Sequence, residues 1–232
     1  FFVLSGFVIV ENDFEKLNNF SNILKFQIKR FWRLYPVHLF VLVLYVFVEL
    51  AKLYFIEYAD IKPTEKAFDD DQSLISFIKS IFLFQNIIDN EFVWNRPAWS
   101  ISVEFYTYLL FALLVVLFKK NSIFIFILIT GYFYLSDIID INILINSNIN
   151  LNFFGSHFKT CINAFSLGVV INYIYQKSKN IRINEIFCWI SLLAVILIMS
   201  NYRTTLGSLQ IGNKFINNQI LYSSFGILII LT

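Results

Sequence analysis

The chain has 232 residues, 58% of them hydrophobic and only 15% charged, with a net charge of +2. A soluble globular chain is nearer half apolar and a quarter charged, so this composition fits lipid better than water. So small a net charge gives no reason to expect a nucleic-acid partner.

Twenty-eight Phe and twelve Tyr exceed what one soluble core needs. Lipid admits only helices and closed barrels. The apolar runs are long and do not alternate as barrel strands do. The expected fold is therefore all-α, a polytopic transmembrane helix bundle in the lipid bilayer.

Residues 1–10 read as the end of one span. Leu24–Leu34 (LKFQIKRFWRL) reads as an amphipathic helix, with Leu24, Ile28, Phe31 and Trp32 on one face and Lys25, Lys29, Arg30 and Arg33 on the other. Residues 34–56 form the next span, with Pro36 near its start. Residues 77–88 are too short to cross and read as an interfacial or re-entrant helix. Spans are expected at 99–118, 122–136, 158–176 and 186–200, and another begins at 216–232. The chain starts inside an apolar run without Met and stops inside another. It reads as a single domain over 1–232, cut at both ends from a longer protein.

Orientation follows Lys and Arg. Segments 11–33, 119–121 and 177–185 carry the bases and are expected on the cytoplasmic side of the cell inner membrane. Segment 57–98 has eight acids against four bases and is expected outside, as is 137–157. The sides alternate only if 77–88 does not cross. The acidic loop 57–76 reads as solvated, with an acceptor contact as the alternative.

Glu104 is the only charged residue in the 22 positions from Pro97 to Phe118. Such a group is costly in lipid and persists mainly where it faces a protein interior or a water-filled cavity. Ser100, Glu104, Thr107 and Tyr108 share a helix face. The carboxylate can orient a catalytic group or take a proton, or it can simply bond neighbouring helices. Trp94 and Trp99 read as interface anchors. Arg30 and Arg33, three apart, can grip phosphates with forked donors, or serve topology by attracting anionic lipid. Ser5-Gly6-Phe7 and Phe165-Ser166-Leu167-Gly168 read as points of close helix approach. His38 and His157 read as satisfied structural histidines. Cys161 and Cys188 read as small packing residues, and no metal-ligand spacing is present.

FFVLSGFVI at 1–9, KRFWRLYP at 29–36 and WSISVEFYTY at 99–108, in that order, resemble the type 3 family of integral membrane acyltransferases; FSLG at 165–168 matches a weaker motif. The resemblance implies a helix bundle with no bound cofactor. It would transfer an acyl group, commonly acetyl from acetyl-CoA, to a hydroxyl of an extracytoplasmic carbohydrate or glycolipid. It assigns acyl-CoA phosphates to Arg30 and Arg33, with Lys29 beside them. Glu104 becomes a supporting catalytic acid. Ser5, Gly6, Phe7, Trp99, Ser102 and Tyr106 fall in the motifs as packing residues. The family's histidine belongs to a helix before Phe1, so neither His38 nor His157 inherits its role, and this chain alone is expected to be inactive. A transporter or flippase for an anionic or glycolipid substrate is the alternative reading of the same arginines and buried acid.

Overall fold

The computed structural model describes residues 1–58, 67–68, 72–87, 94–138 and 155–178. Among these, all regular structure is helical: α1 (Phe2–Asp13), α2 (Phe20–Tyr58), α3 (Leu74–Ile81), α4 (Trp99–Phe118), α5 (Ser122–Ile138) and α6 (Ser156–Ser178). The expected spans 186–200 and 216–232 lie outside the described residues, as do Cys188 and most of 137–157.

Two helical stretches are long and apolar enough to cross a membrane, Phe20–Tyr58 and Trp99–Phe133. Only 11% of the apolar window of the first is buried. A soluble core helix would be covered, so this exposure favours lipid contact. The second stretch contains the turn Lys119–Asn121, where Lys119 takes φ 50° and ends α4. α6 coincides with the expected span 158–176 but is not among the two. Lys159, Asn163, Ser166 and Asn172 make it too polar.

The largest departure is at Pro36. The sequence separates an amphipathic helix ending at Leu34 from a span beginning there. The structure has one helix of 39 residues running through Pro36. Its length is about 58 Å at 1.5 Å per residue, nearly twice the hydrocarbon thickness of a bilayer. The expected faces change as well. Leu24, Ile28 and Trp32 are exposed, and so are Lys25, Lys29 and Arg33. The stripe that packs on protein is a third one, carrying Ile23, Phe26, His38, Leu42 and Glu49, with half-buried Arg30 along it.

The chain divides into two compact units. The first comprises Phe1–Asn18, Leu114–Asn150 and Ile162–Thr232. Within it, α1 and α6 meet backbone to backbone. A methyl added at Gly6 would overlap the Phe165 carbonyl, and one at Gly168 the Val3 carbonyl. Val3, Ala164 and Ile171 form the apolar seam, with Phe2, Phe7 and Leu167 packed on it. The seam ends in polar contacts. Asn172 donates to the Phe7 carbonyl and to Glu11, both at 3.1 Å, and Gln176 donates to Glu11. Contacts advance in the same direction along both helices, so α1 and α6 run parallel. A cleft of about 700 Å³ opens beside them, lined by Glu11, Phe14, Lys120, Phe124, Asn172 and Tyr173 among others.

The second unit comprises Asn19–Leu113 and Leu151–Cys161. Here α2 and α4 run antiparallel. Gln27 donates to the Phe105 carbonyl at 2.9 Å, while Leu42, further along α2, packs with Trp94, which precedes α4. α3 has eight residues, about 12 Å of helix, too short to cross a bilayer. The sequence expects a helix over 77–88. The structure starts it earlier, at Leu74, because Ser73 caps it by accepting from the Ser76 N–H at 3.3 Å. It stops at Ile81, and the chain turns through 82–87 with Leu83 at φ 58° and Asn86 at φ 69°.

Candidate functional site

The second unit must satisfy a non-helical backbone in apolar surroundings, and its polar side chains do so. Unpaired carbonyls are expensive where water is scarce. Ser102 bonds the carbonyls of Leu83, at 2.5 Å, and Gln85. Tyr106, one turn on, donates to the Phe82 carbonyl at 2.9 Å. From the other side, His38 Nε2 lies 2.9 Å from the Ser80 carbonyl, and Asn95 Nδ2 lies 3.4 Å from Nδ1. A proton on Nε2 satisfies both contacts. His38 therefore fastens α3 to α2, in keeping with a structural histidine.

Trp94 departs from the interface-anchor expectation. It is buried, packs on Phe77 at 5.0 Å between ring centroids, and donates from Nε1 to Ser76 Oγ at 3.0 Å and the Ser73 carbonyl at 3.2 Å. Trp99 is half-buried against His157, with centroids 4.8 Å apart. The Ser100 hydroxyl, one turn before Glu104, lies 3.4 Å from the Pro97 carbonyl. Thr107 donates to the Val103 carbonyl at 2.7 Å and touches Cys161 Sγ at 3.3 Å. Cys161 is fully buried there.

Glu104 precedes Thr107 by three residues on the same side of α4. Both it and Tyr108 are buried, at 4% exposure each, and the Tyr108 hydroxyl donates to Glu104 Oε1. The Tyr108 ring meets Phe26 of α2 edge-on, with centroids 6.2 Å apart. The Arg30 guanidinium stands 5.5 Å from the Tyr108 centroid and 5.2 Å from that of Phe26. This corrects a consequence of the charge-based topology, which places the arginines across the membrane from Glu104. Arg30 and Glu104 contact the same tyrosine. The unbroken α2 explains the difference, because it carries residues 26–31 alongside Phe105–Phe111.

Lys29 and Arg33 stand exposed on α2, whereas Arg30 is half-buried. Ser5 and Phe7 flank Gly6 on α1, where Phe7 meets Tyr175 edge-on at 5.5 Å. One buried carboxylate escaped the sequence reading. Glu49 is 3% exposed, pairs with Lys52 at 2.7 Å and accepts from the Phe68 N–H at 3.0 Å. Its signal is the one that marks Glu104, a lone acid in an apolar run, but Lys52 three residues on neutralises it. Among the described residues, no group of three or more His, Cys, Asp or Glu could hold a metal ion.

A family model described as an acyltransferase domain matches residues 1–232, the whole chain. The chain belongs to this type 3 acyltransferase family. No curated protein and no solved structure matches it. Family membership makes acyl transfer at a membrane the general activity. It also removes the need to read the arginines and the buried acid as a transport pathway.

Proposed function

We propose that this acyltransferase moves an acyl group, acetyl in the simplest case, from acyl-CoA to a hydroxyl of an extracytoplasmic carbohydrate or glycolipid. The observation that carries this reading is the buried Glu104 carboxylate, held by Tyr108 and adjoined by Arg30, in a chain of this family. Acyl-CoA comes from the cytoplasm, and Lys29 and Arg33 meet its phosphates, with Arg30 at the inner edge of the same patch. The acceptor hydroxyl oxygen attacks the thioester carbonyl carbon. A C–O bond forms, the C–S bond breaks, and the sulfur leaves as CoA thiolate, which takes up a proton. The hydroxyl proton passes to a base, by the family resemblance a histidine, which Glu104 orients.

The placement in the membrane belongs to the same proposal: multi-pass, one domain over 1–232, with 57–98 extracytoplasmic and 11–33 open to the cytoplasm, its residues 26–31 reaching the depth of Phe105–Phe111. Two observations support it. Antiparallel α2 and α4, and parallel α1 and α6, have the directions that the alternation of sides requires. The cleft in the first unit gathers Glu11, Lys120 and Gln176, which lie in or next to the three segments assigned to the cytoplasm.

The test is acetyl transfer by the full protein in membranes, supplied with labelled acetyl-CoA. Glu104→Gln is expected to lower turnover at least about 100-fold. Arg33→Ala is expected to raise the KM for acetyl-CoA about tenfold or more. Normal kinetics in both variants would overturn the assignment.

A further inference from the structure

We infer that Tyr108 is a positioning residue of the acyl-transfer site, holding the Glu104 carboxylate through its hydroxyl while Arg30 and Phe26 clamp its ring. The inference rests on the proposed role of Glu104 and adds a residue to it.

Residues four apart on α4 lie one above the other, so Tyr108 reaches Glu104 without any bend in the chain. A phenol is a suitable holder for a buried carboxylate. It donates one hydrogen bond and carries no charge of its own. A bond to an ionised acceptor is about twice as strong as a neutral one, and more so where water is excluded.

A donor positions a carboxylate only if it is itself fixed. Tyr108 is fixed from α2. Phe26 meets the ring edge-on, and the Arg30 guanidinium lies within 5.5 Å of its centroid. Cation and ring attract within about 6 Å, and desolvation strengthens the attraction. The Phe26 ring lies 5.2 Å from the same guanidinium, so the cation is bracketed by two aromatic faces. Arg30 thus acts on Glu104 through the tyrosine. A change in the surroundings of Arg30, such as phosphates arriving at exposed Arg33 and Lys29, is felt at the ring that orients the acid.

Tyr106, two residues before, shows what a purely structural tyrosine does here. Its hydroxyl goes to a main-chain carbonyl in the turn after α3. Tyr108 instead goes to the one carboxylate on α4.

The experiment uses the full protein in membranes, with labelled acetyl-CoA as donor. Free CoA and acceptor-bound acetyl are read for Tyr108→Phe, Glu104→Gln and the double variant. Phenylalanine keeps the ring for Arg30 and Phe26 and removes only the donor. The expected result is a fall in kcat of roughly tenfold with the KM for acetyl-CoA within about twofold of normal. In the Glu104→Gln background the same change is expected to cost nothing further, since the carboxylate it serves is gone. Normal kcat in Tyr108→Phe beside a crippled Glu104→Gln overturns this inference alone. So does a double variant whose losses multiply, which is what a merely structural tyrosine would give. Normal kcat in Glu104→Gln overturns the proposed site and this inference together.

Discussion

The two units hold themselves together by opposite means. In the first, α1 and α6 approach so closely that carbonyls occupy the space of missing side chains at Gly6 and Gly168. In the second, side chains tie α2, α3 and α4 together: Ser102, Tyr106, His38, Gln27 and Trp94 reach main-chain carbonyls. Both solve the same problem. Lipid offers no hydrophobic force between helices, so contact must come from close packing or from polar groups that have nowhere else to bond. The difference lies in what remains available. A backbone-to-backbone seam brings main chain rather than side chains together. A side-chain-to-carbonyl lattice brings polar side chains into the interior, where Glu104 and Tyr108 pair with each other beside the Arg30 cation.

The sharpest way to break this contrast is to change one residue of each kind. Glu104→Gln is nearly isosteric, and should leave the melting temperature of the purified protein within a few degrees while turnover falls at least about 100-fold. Gly168→Val should do the reverse. It places a branched side chain where the Val3 carbonyl already sits, an overpacking cost of at least about 1–3 kcal/mol, and should cut the yield of folded protein. Gly131→Ala on α5 is the control. Nothing lies within 4 Å of the added methyl, so stability should hold or rise by up to about 1 kcal/mol. Thermal unfolding in detergent and acetyl-transfer assays separate the three. A Gly168→Val protein that folds normally would show that the seam is not tight.

These residues also show what the sequence could reveal. Gly6 and Gly168 stand out because small residues in apolar helices invite close approach, yet no pattern says that the two motifs face each other. That depends on α1 and α6 running parallel, a tertiary fact. Glu104 stands out because a charge in lipid is expensive. Its tie to Arg30 does not, because Pro36 suggests that the basic helix ends before the span begins, and that break would keep the arginines far from α4. The structure shows α2 unbroken, and the arginines part company along it. Arg30 joins the packed stripe, while Arg33 stays exposed. A helical wheel with one apolar face could not show this, since a membrane helix has two apolar neighbours, lipid and protein.

Within the second unit, Ser102→Ala tests the lattice at its most buried point. The hydroxyl is fully buried and serves two carbonyls of a turn whose Leu83 sits at φ 58°. Removing it leaves both without that donor, at a cost of roughly 1–3 kcal/mol. For a chain of this size the melting temperature should fall about 2–4 °C for each kcal/mol. Turnover should fall less than in Glu104→Gln, because Val103 and Tyr108 still hold α4 against its neighbours. If Ser102→Ala abolished turnover while leaving the melting temperature unchanged, Ser102 would belong with Glu104 rather than with the lattice.

Tyr106→Phe is the mildest change and the one that most narrows the comparison. Its hydroxyl also goes to a carbonyl of the turn, but at its exposed margin, where the Phe82 carbonyl can find other partners. The expected loss is at the low end for one hydrogen bond, about 0.5–1 kcal/mol, and turnover should stay within about twofold of normal. The ring keeps its contact with Phe84, whose centroid is 5.1 Å away, so packing is preserved. Set beside Tyr108→Phe, the pair compares two tyrosines two residues apart on one helix, each losing only a hydroxyl. One loss should register as a small drop in melting temperature with turnover intact, the other as a drop in kcat. Equal effects on both quantities in the two variants would mean that the lattice and the acid are not separable, and that Glu104 too is held mainly for structure.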